Sequence, residues 1–249
     1  MRIIANGACG HMGREIVRLA EEGYRGGELA AAVDAYGKGE GVLADLHDAP
    51  EADVIIDFSH HTAVGPLLAY ACGRGLPVVI ATTGHTEEER ELIFAAAKKI
   101  PVFFSANMSV GVALLCSLAR QAAAVLEGAD IEIVEIHHNR KVDAPSGTAL
   151  MLADAVREAR PELKNHCGRS GQGKREQNEI GISALRMGGV VGTHEVMITT
   201  ETQTITLKHE AYSRALFAEG ALTAARFLQG KGAGLYDMRS MIGESGGAE

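Results

Sequence analysis

Six residues into the chain an apolar run breaks into glycines, and that break limits the folds open to everything after it. Arg2-Ile-Ile-Ala-Asn6 reads as a short strand, Gly7-Ala-Cys-Gly10-His-Met-Gly13 as a tight turn, and residues 14–22 as a helix. The helix carries an apolar stripe of Met12, Ile16, Leu19 and Ala20 at three- and four-residue spacing. Strand, G-x-x-G-x-x-G and helix in that order make the first turn of a dinucleotide-binding sheet, because glycine permits the tight turn and lets backbone approach a pyrophosphate. A glycine-rich turn without a ligand is the plainer alternative. The position directly after a strand favours the dinucleotide reading, which assigns Gly7, Gly10, His11, Met12 and Gly13 to cofactor binding.

The next residues extend that reading. Glu28-Leu-Ala-Ala-Ala-Val33 is a second strand with Asp34 at its end, about 20 residues beyond the turn, where a carboxylate can accept the adenosine ribose hydroxyls. A free 2′-hydroxyl suits Asp34, whereas a 2′-phosphate meets its charge unless Lys38 and His11 offset it. NADH is therefore the favoured cofactor and NADPH the alternative. Ala52-Asp-Val-Ile-Ile-Asp-Phe58 is nearly all apolar, as expected of a parallel strand covered on both faces. Leu76-Pro-Val-Val-Ile-Ala-Thr-Thr-Gly84 and Pro101-Val-Phe-Phe-Ser-Ala-Asn107 bring the strand-like runs to five. Thr86 and Glu89 form a capping-box pattern opening a helix that runs to about residue 99. Ligands of an open parallel sheet sit outside the carboxyl ends of its strands. Thr82, Thr83 and Gly84, and then Ser105, Ala106, Asn107 and Met108, fall at such ends. His60 and His61 invite a metal reading, but they have no carboxylate or thiol at ligand spacing, and no metal is expected.

The cadence changes after a long Ala- and Leu-rich helix over residues 109–127. Asp130-Ile-Glu-Ile-Val-Glu-Ile136 alternates as a strand, and residues 148–160 read as a helix. Residues 161–177 are polar and glycine-containing and read as an exposed loop. Its stretch 169–175 either reaches a neighbouring subunit or an anionic ligand, or is simply solvated. Alternating runs at 180–186, 190–198 and 202–209 then follow without helices between them. With residues 130–136 they predict about four strands of a mixed or antiparallel sheet. The expected class is α/β: a Rossmann-like parallel-sheet domain at the N-terminus, plus an α+β domain with a mixed sheet for substrate binding and oligomerisation. A sheet with helices on one face leaves the other to be covered, and subunit association is one way to cover it.

Most of the chemistry is concentrated between residues 135 and 149. His137 and His138 end a strand and must point to opposite faces. Ser146, Gly147 and Thr148 bring backbone N–H groups and two hydroxyls to a helix N-terminus, where the dipole favours an anion. With Lys141 close in sequence, the segment describes a pocket for a small carboxylate together with a proton donor. An ordinary polar strand end with a Ser cap is the bland alternative, which the added Lys and Ser-Gly-Thr make less fitting.

Charge and cysteines bound the rest. A net charge of -8 argues against a nucleic-acid surface. No apolar run approaches the roughly 20 residues of a membrane span. The start enters a strand at once, without signal-peptide anatomy. Cys9, Cys72, Cys116 and Cys167 lack ligand spacing and read as free thiols, three of them in core segments, in a reducing cytoplasm.

Glu135-Ile-His-His-x-x-Lys-x-Asp-Ala-Pro-Ser-Gly-Thr-Ala149 resembles the signature of the 4-hydroxy-tetrahydrodipicolinate reductase family, also called dihydrodipicolinate reductases. Gly188-Gly-Val-Val-Gly-Thr-His194, His209-Glu-Ala-Tyr-Ser-Arg214 and Gly234-Leu-Tyr-Asp-Met238 are similar to further family motifs, so the resemblance spans the chain. It implies NAD(P)H-dependent reduction of a cyclic imine-type dicarboxylate to tetrahydrodipicolinate, on the diaminopimelate route to lysine. Such a reduction builds negative charge at the ring nitrogen, which a cation or a proton must meet. His137 and Lys141 are the catalytic candidates, with interchangeable roles. His138, Lys141, Ser146, Gly147 and Thr148 would hold the carboxylates. The turns at 81–84 and 105–108 would lie beside the nicotinamide, the turn with His60 and His61 would lie beside the cofactor with a loop or cap role, and His194 and His209 would have structural or pocket-lining roles. The resemblance also implies a discontinuous dinucleotide-binding domain (1–108 and 213–249), a substrate and oligomerisation domain (109–212), and a homotetramer. Ala35 and His11 stand where members often carry Arg, which weakens the case for NADPH, and Met108 stands where many have Phe. Two other readings remain: a different nicotinamide-dependent enzyme of amino-acid metabolism, and a nucleotide-sensing regulator without turnover.

Overall fold

The computed structural model describes residues 1–37 and 39–243. Lys38, set against the charge of Asp34 above, lies outside the described residues. The chain forms two compact units, one of Met1–Ser109 with Ala215–Glu249 and one of Val110–Arg214.

The first unit begins with β1 (Arg2–Asn6), α1 (His11–Glu21), β2 (Glu28–Val33), β3 (Val42–Leu43), β4 (Val54–Asp57) and α2 (Val64–Arg74). It continues through β5 (Val78–Ile80), α3 (Glu87–Ala97) and β6 (Pro101–Phe104). The second unit holds α4 (Val110–Val125), β7 (Asp130–His137), α5 (Gly147–Ala159), β8 (Lys164–Cys167), β9 (Glu179–Arg186), β10 (Gly192–Thr199) and β11 (Thr204–Ala211). The chain then completes the first unit with α6 (Ala215–Leu228), β12 (Gly234–Tyr236) and α7 (Met238–Met241).

The sheet of the first unit has seven strands in the order β12-β6-β5-β4-β1-β2-β3, and every pairing is parallel. Strand order reverses between β1 and β4, the switch point at which such sheets open a crevice for ligands. The central strands are covered on both faces, so Ile3 and Ile4, Val54 to Ile56 and Val78 to Ile80 are all buried. One face carries Leu67, Leu68 and Ala71 of α2 and Ile93 and Ala96 of α3. Helix α3 starts where the sequence places it, with the full Thr86–Glu89 capping box. The sequence gives five of these strands. The two it hides, β3 and β12, are edge strands of two and three residues, too short to display a period.

The second sheet is mixed, with five strands in the order β11-β10-β7-β9-β8. Strand β7 runs parallel to β9 and antiparallel to β10. Its core joins Ile131, Ile133, Ile180, Ile182, Val196 and Ile198 to Leu115 and Ala119 of α4 and to Leu152 and Val156 of α5. The segment 161–177, read from sequence as an exposed loop, in fact contributes β8, paired in parallel with β9. Lys164-Asn-His-Cys167 is an edge strand with no buried residue, so nothing apolar marks it. The arginines that follow are used within the fold. Arg175 reaches Glu132 and the carbonyls of Ile131 and Glu179, and Arg169 pairs with Glu179. None of the four cysteines is joined in a disulfide, and none is buried: Cys9, Cys72 and Cys116 are half-exposed and Cys167 is exposed. Each of the first three lies in or beside an apolar run without being on its innermost face.

Candidate active site

At the carboxyl end of β1 the chain must turn sharply into α1, and the glycines make the turn possible. Gly7 has φ +80°, and a Cβ there would stand 2.7 Å from the Phe58 carbonyl. A Cβ at Gly13 would strike the carbonyl of Gly7. Gly10 begins α1 without any side-chain cap, so the helix presents its first amides and the positive end of its dipole to the crevice. This is an anion seat of the kind a pyrophosphate fits.

Two cavities flank it. One of about 390 Å³ is lined by Gly10, His11, Met12, Thr82, Thr83 and Met108. The other, about 220 Å³, lies against Gly7, Gly10, Asp34, Tyr36 and Ser59. The Asp34 carboxylate accepts the amides of Cys9 at 3.0 Å, Tyr36 at 3.0 Å and Gly37 at 2.6 Å, tying the glycine turn to the loop after β2. Burial opposes its charge, but these amides outweigh burial and hold its pKa below the ordinary value. Gly84 takes φ +85° and is exposed beside Thr83. Ser105, Asn107 and Ser109 brace one another in the turn after β6, with Ser105 Oγ donating to the Asn107 carbonyl at 2.8 Å. Ala106 is exposed and Met108 is buried. His60 caps the short helical turn at 61–63 through Thr62, and His61 pairs with Glu89 at 2.9 Å, so both serve the loop.

One group in this unit carries no mark in the sequence. Asp57, 1% exposed, accepts from Asn6 Nδ2 at 2.7 Å, Ser59 Oγ at 2.6 Å and Thr82 Oγ1 at 2.7 Å. Burial drives its pKa up, against those donors. The carboxylate binds together the ends of β1, β4 and β5, three adjacent strands at the crevice.

In the second unit β7 alternates as its sequence requires, with Ile131, Ile133, Glu135 and His137 on the buried face. His138, just past the strand, is half-exposed. Glu135 is fully buried. Arg186 grips both its oxygens at 2.8 Å, His137 Nδ1 lies 2.6 Å from Oε2, and the Ser146 amide donates to Oε1 at 3.0 Å. Burial alone would raise the Glu135 pKa, yet Arg186, His137 and the Ser146 amide outweigh it and lower it. Ser146 caps α5 by accepting the Ala149 amide, and its hydroxyl also meets His194 Nε2 at 3.0 Å. Burial, followed by the nearby His137, pushes the His194 pKa down to about 4. His194 is therefore neutral near pH 7, with Nε2 sharing a hydrogen bond with the Ser146 hydroxyl. The Ser146 side chain is thus turned inward, while Gly147 begins α5 at the surface.

Lys141 pairs with Asp143 at 2.8 Å, within the turn closed by the Lys141 amide on the His138 carbonyl. The Asp143 pKa is held down chiefly by that lysine. Burial first, and then Arg140, Arg214, His137 and Lys141, lower the His138 pKa, which marks a positive field around this ring. His137 and Ser146 thus meet on Glu135, and His138 and Lys141 share one turn. Glu135 and Arg186 are functional-site neighbours that the sequence motifs do not single out. The signal for Glu135 was available, since an acid two places before His137 shares the apolar face of an alternating strand. Arg186 gave none, lying 51 residues away from Glu135 in sequence. Among the described residues no group of three or more His, Cys, Asp or Glu side chains could hold a metal ion.

A parallel sheet with a glycine turn at its switch point is joined in one chain to a unit in which His137 pairs with the buried Glu135 beside a helix N-terminus, and the family matches of both units give the class, an oxidoreductase with a nicotinamide cofactor. Residues 1–108 match the family model described as dihydrodipicolinate reductase, N-terminus, and residues 111–242 the one described as dihydrodipicolinate reductase, C-terminus. The chain belongs to the dihydrodipicolinate reductase family. It is 48% identical over 247 residues to the 4-hydroxy-tetrahydrodipicolinate reductase of Caldanaerobacter subterraneus subsp. tengcongensis, covering 97% of this chain and 98% of that protein. The corresponding enzyme of Clostridium tetani is 42% identical, with 97% of each chain covered. Among solved structures, a dipicolinate-bound dihydrodipicolinate reductase from Paenisporosarcina sp. TG-14 shares the fold with a TM-score of 0.80 and 24% identity, covering 97% of this chain and 99% of that one.

Proposed function

We propose that the chain reduces 4-hydroxy-tetrahydrodipicolinate to tetrahydrodipicolinate, with NADH as its preferred reductant and the product passing to diaminopimelate and lysine. Family membership supports the reaction. The observation that carries the assignment of residues is the assembly around β7 and α5, where an imidazole on a buried carboxylate adjoins a capped helix start and a lysine-bearing turn.

The first unit has the features that a dinucleotide needs. Gly7, Gly10 and Gly13 leave room for a pyrophosphate on the uncapped start of α1, with His11 and Met12 beside it. Asp34 is placed to accept ribose hydroxyls, which favours NADH over NADPH. Thr82, Thr83, Gly84, Ser105, Ala106, Asn107 and Met108 would border the nicotinamide. The reduced nicotinamide, when bound, supplies the hydride.

In the second unit His138, Lys141, Gly147 and Thr148 would hold the two carboxylates, using the positive field around His138 and the dipole of α5. Ser146 contributes its backbone position, since its hydroxyl is committed to His194 and Ala149. Charge that develops at the ring nitrogen is met by the Lys141 ammonium, and His137 exchanges the proton. We further propose a homotetramer associating through the second unit, in the cytoplasm, where free thiols stay reduced. Among the described residues no helix is long and apolar enough to cross a membrane.

Consumption of NADH, followed by its near-ultraviolet absorbance with freshly generated 4-hydroxy-tetrahydrodipicolinate, tests the reading. Turnover is expected, together with competitive inhibition by pyridine-2,6-dicarboxylate. NADH binding without turnover would mark a nucleotide sensor instead and overturn the proposal.

A further inference from the structure

We propose that Glu135, gripped by Arg186, is a positioning residue that fixes His137, the start of α5 and the Lys141 turn in one geometry. The inference rests on the reductase reading above and assigns work to two residues that reading leaves idle.

Four donors surround one buried carboxylate. Oε2 receives His137 Nδ1 at 2.6 Å and Arg186 Nη1 at 2.8 Å, and Oε1 receives Arg186 Nη2 at 2.8 Å and the Ser146 amide at 3.0 Å. A carboxylate has about four acceptor sites, so this one is filled and acts only as an acceptor. His137 must then carry a proton on Nδ1, which leaves Nε2 as its working nitrogen. Room on that side comes from Gly192, where a Cβ would stand 3.1 Å from Nε2.

Arg186 reaches further. Its Nη2 also donates to the Asp143 carbonyl at 2.6 Å, and Asp143 is the ion-pair partner of Lys141. Strands β7 and β9 run parallel with His137 opposite Arg186, so the guanidinium spans the strand end from the adjacent position. One ion pair therefore ties together the imidazole, the helix that begins at Ser146 and the lysine turn. Apart from an Nη1 bond to the Leu185 carbonyl and an Nε without a partner among the described residues, the pair's remaining contacts fall on three separate pieces of one site: His137, the Ser146 amide and the Asp143 carbonyl. Bidentate arginine geometry supplies the rigidity, which a lysine cannot reproduce.

The experiment combines the wild-type protein with E135Q and R186K. In the wild type, nitrogen-15 NMR of the histidines should show His137 protonated at Nδ1; a His137 bearing its proton only on Nε2 would overturn the inference without reference to activity. In E135Q and R186K, kcat should fall by at least about tenfold. The affinity for pyridine-2,6-dicarboxylate should weaken while that for NADH stays within about twofold of wild type. Wild-type kcat and dicarboxylate affinity in either variant would sink the proposal. Should E135Q fail to fold, R186K and the wild-type spectrum decide. Absence of reductase turnover in the wild type would count against the proposed function alone, because the tautomer is read independently.

Discussion

His194 is 4% exposed, its Nε2 faces the Ser146 hydroxyl, and its pKa lies at about 4 instead of the usual 6.5. Between those values the unfolded chain takes up a proton that the folded chain refuses. The folded state is therefore favoured above pH 6.5 and loses stability as pH falls towards 4. From pH 7 to pH 5 this one group should cost ~2 kcal/mol. Urea denaturation at both pH values should show H194Q with a correspondingly smaller loss than wild type, and an unchanged loss would refute the assignment. At Lys141 the effect is on chemistry: K141A should lower kcat by ~10²–10⁴-fold while NADH affinity survives. Steady-state kinetics with near-normal kcat would remove Lys141 from the mechanism. The sequence displays such residues unevenly. His137 and Lys141 stand out by type and spacing, whereas Glu135 looks like one more acid on an alternating strand until its face is counted. Arg186 could be found only once β9 lay beside β7.

At the scale of elements, legibility follows length and burial. Strands β1 and β4 are legible as continuous apolar runs and β7 as an alternating one, and α3 announces its start through Thr86 and Glu89. Strands β3, β8 and β12 are short edge pieces held by backbone pairing, and the pattern of their side chains carries no trace of it. The ends of strands are harder still to read, since their organisation comes from contacts across the sheet. Asp57 illustrates the point by joining Asn6, Ser59 and Thr82 from three strand ends. D57A leaves those donors without their acceptor inside the protein, a loss of about 1–3 kcal/mol for each group that finds no water. The crevice should loosen with it, so that NADH binds at least about tenfold more weakly while dicarboxylate affinity changes little. Fluorescence titration of a folded D57A with both ligands checks this, and equal weakening of the two would point to global damage instead.

The whole molecule closes its first unit late. Residues 1–109 lack β12, which pairs with β6, and they lack α6, which buries Ala218, Ala221, Leu222, Ala225 and Leu228. Gly220 of α6 lies so close to the Met108 carbonyl that a Cβ there would strike it, and Phe217 lines the same cavity as Met12 and Thr82. The candidate cofactor crevice is thus finished by residues made after the entire second unit. That unit is continuous, from Val110 to Arg214, with its own core between α4, α5 and the mixed sheet. A chain ending at Arg214 removes the closing helix and strand and leaves a face of the parallel sheet uncovered, exposing apolar surface worth about 25 cal/mol per Å². It should lose NADH binding and show little amide protection in β1, β4, β5 and β6, while β7, β9 and β10 keep theirs. Hydrogen exchange resolved along the chain distinguishes the outcomes. Retained protection in β4 and β5, with NADH still bound, would mean that the first 109 residues hold their fold without the returning segment.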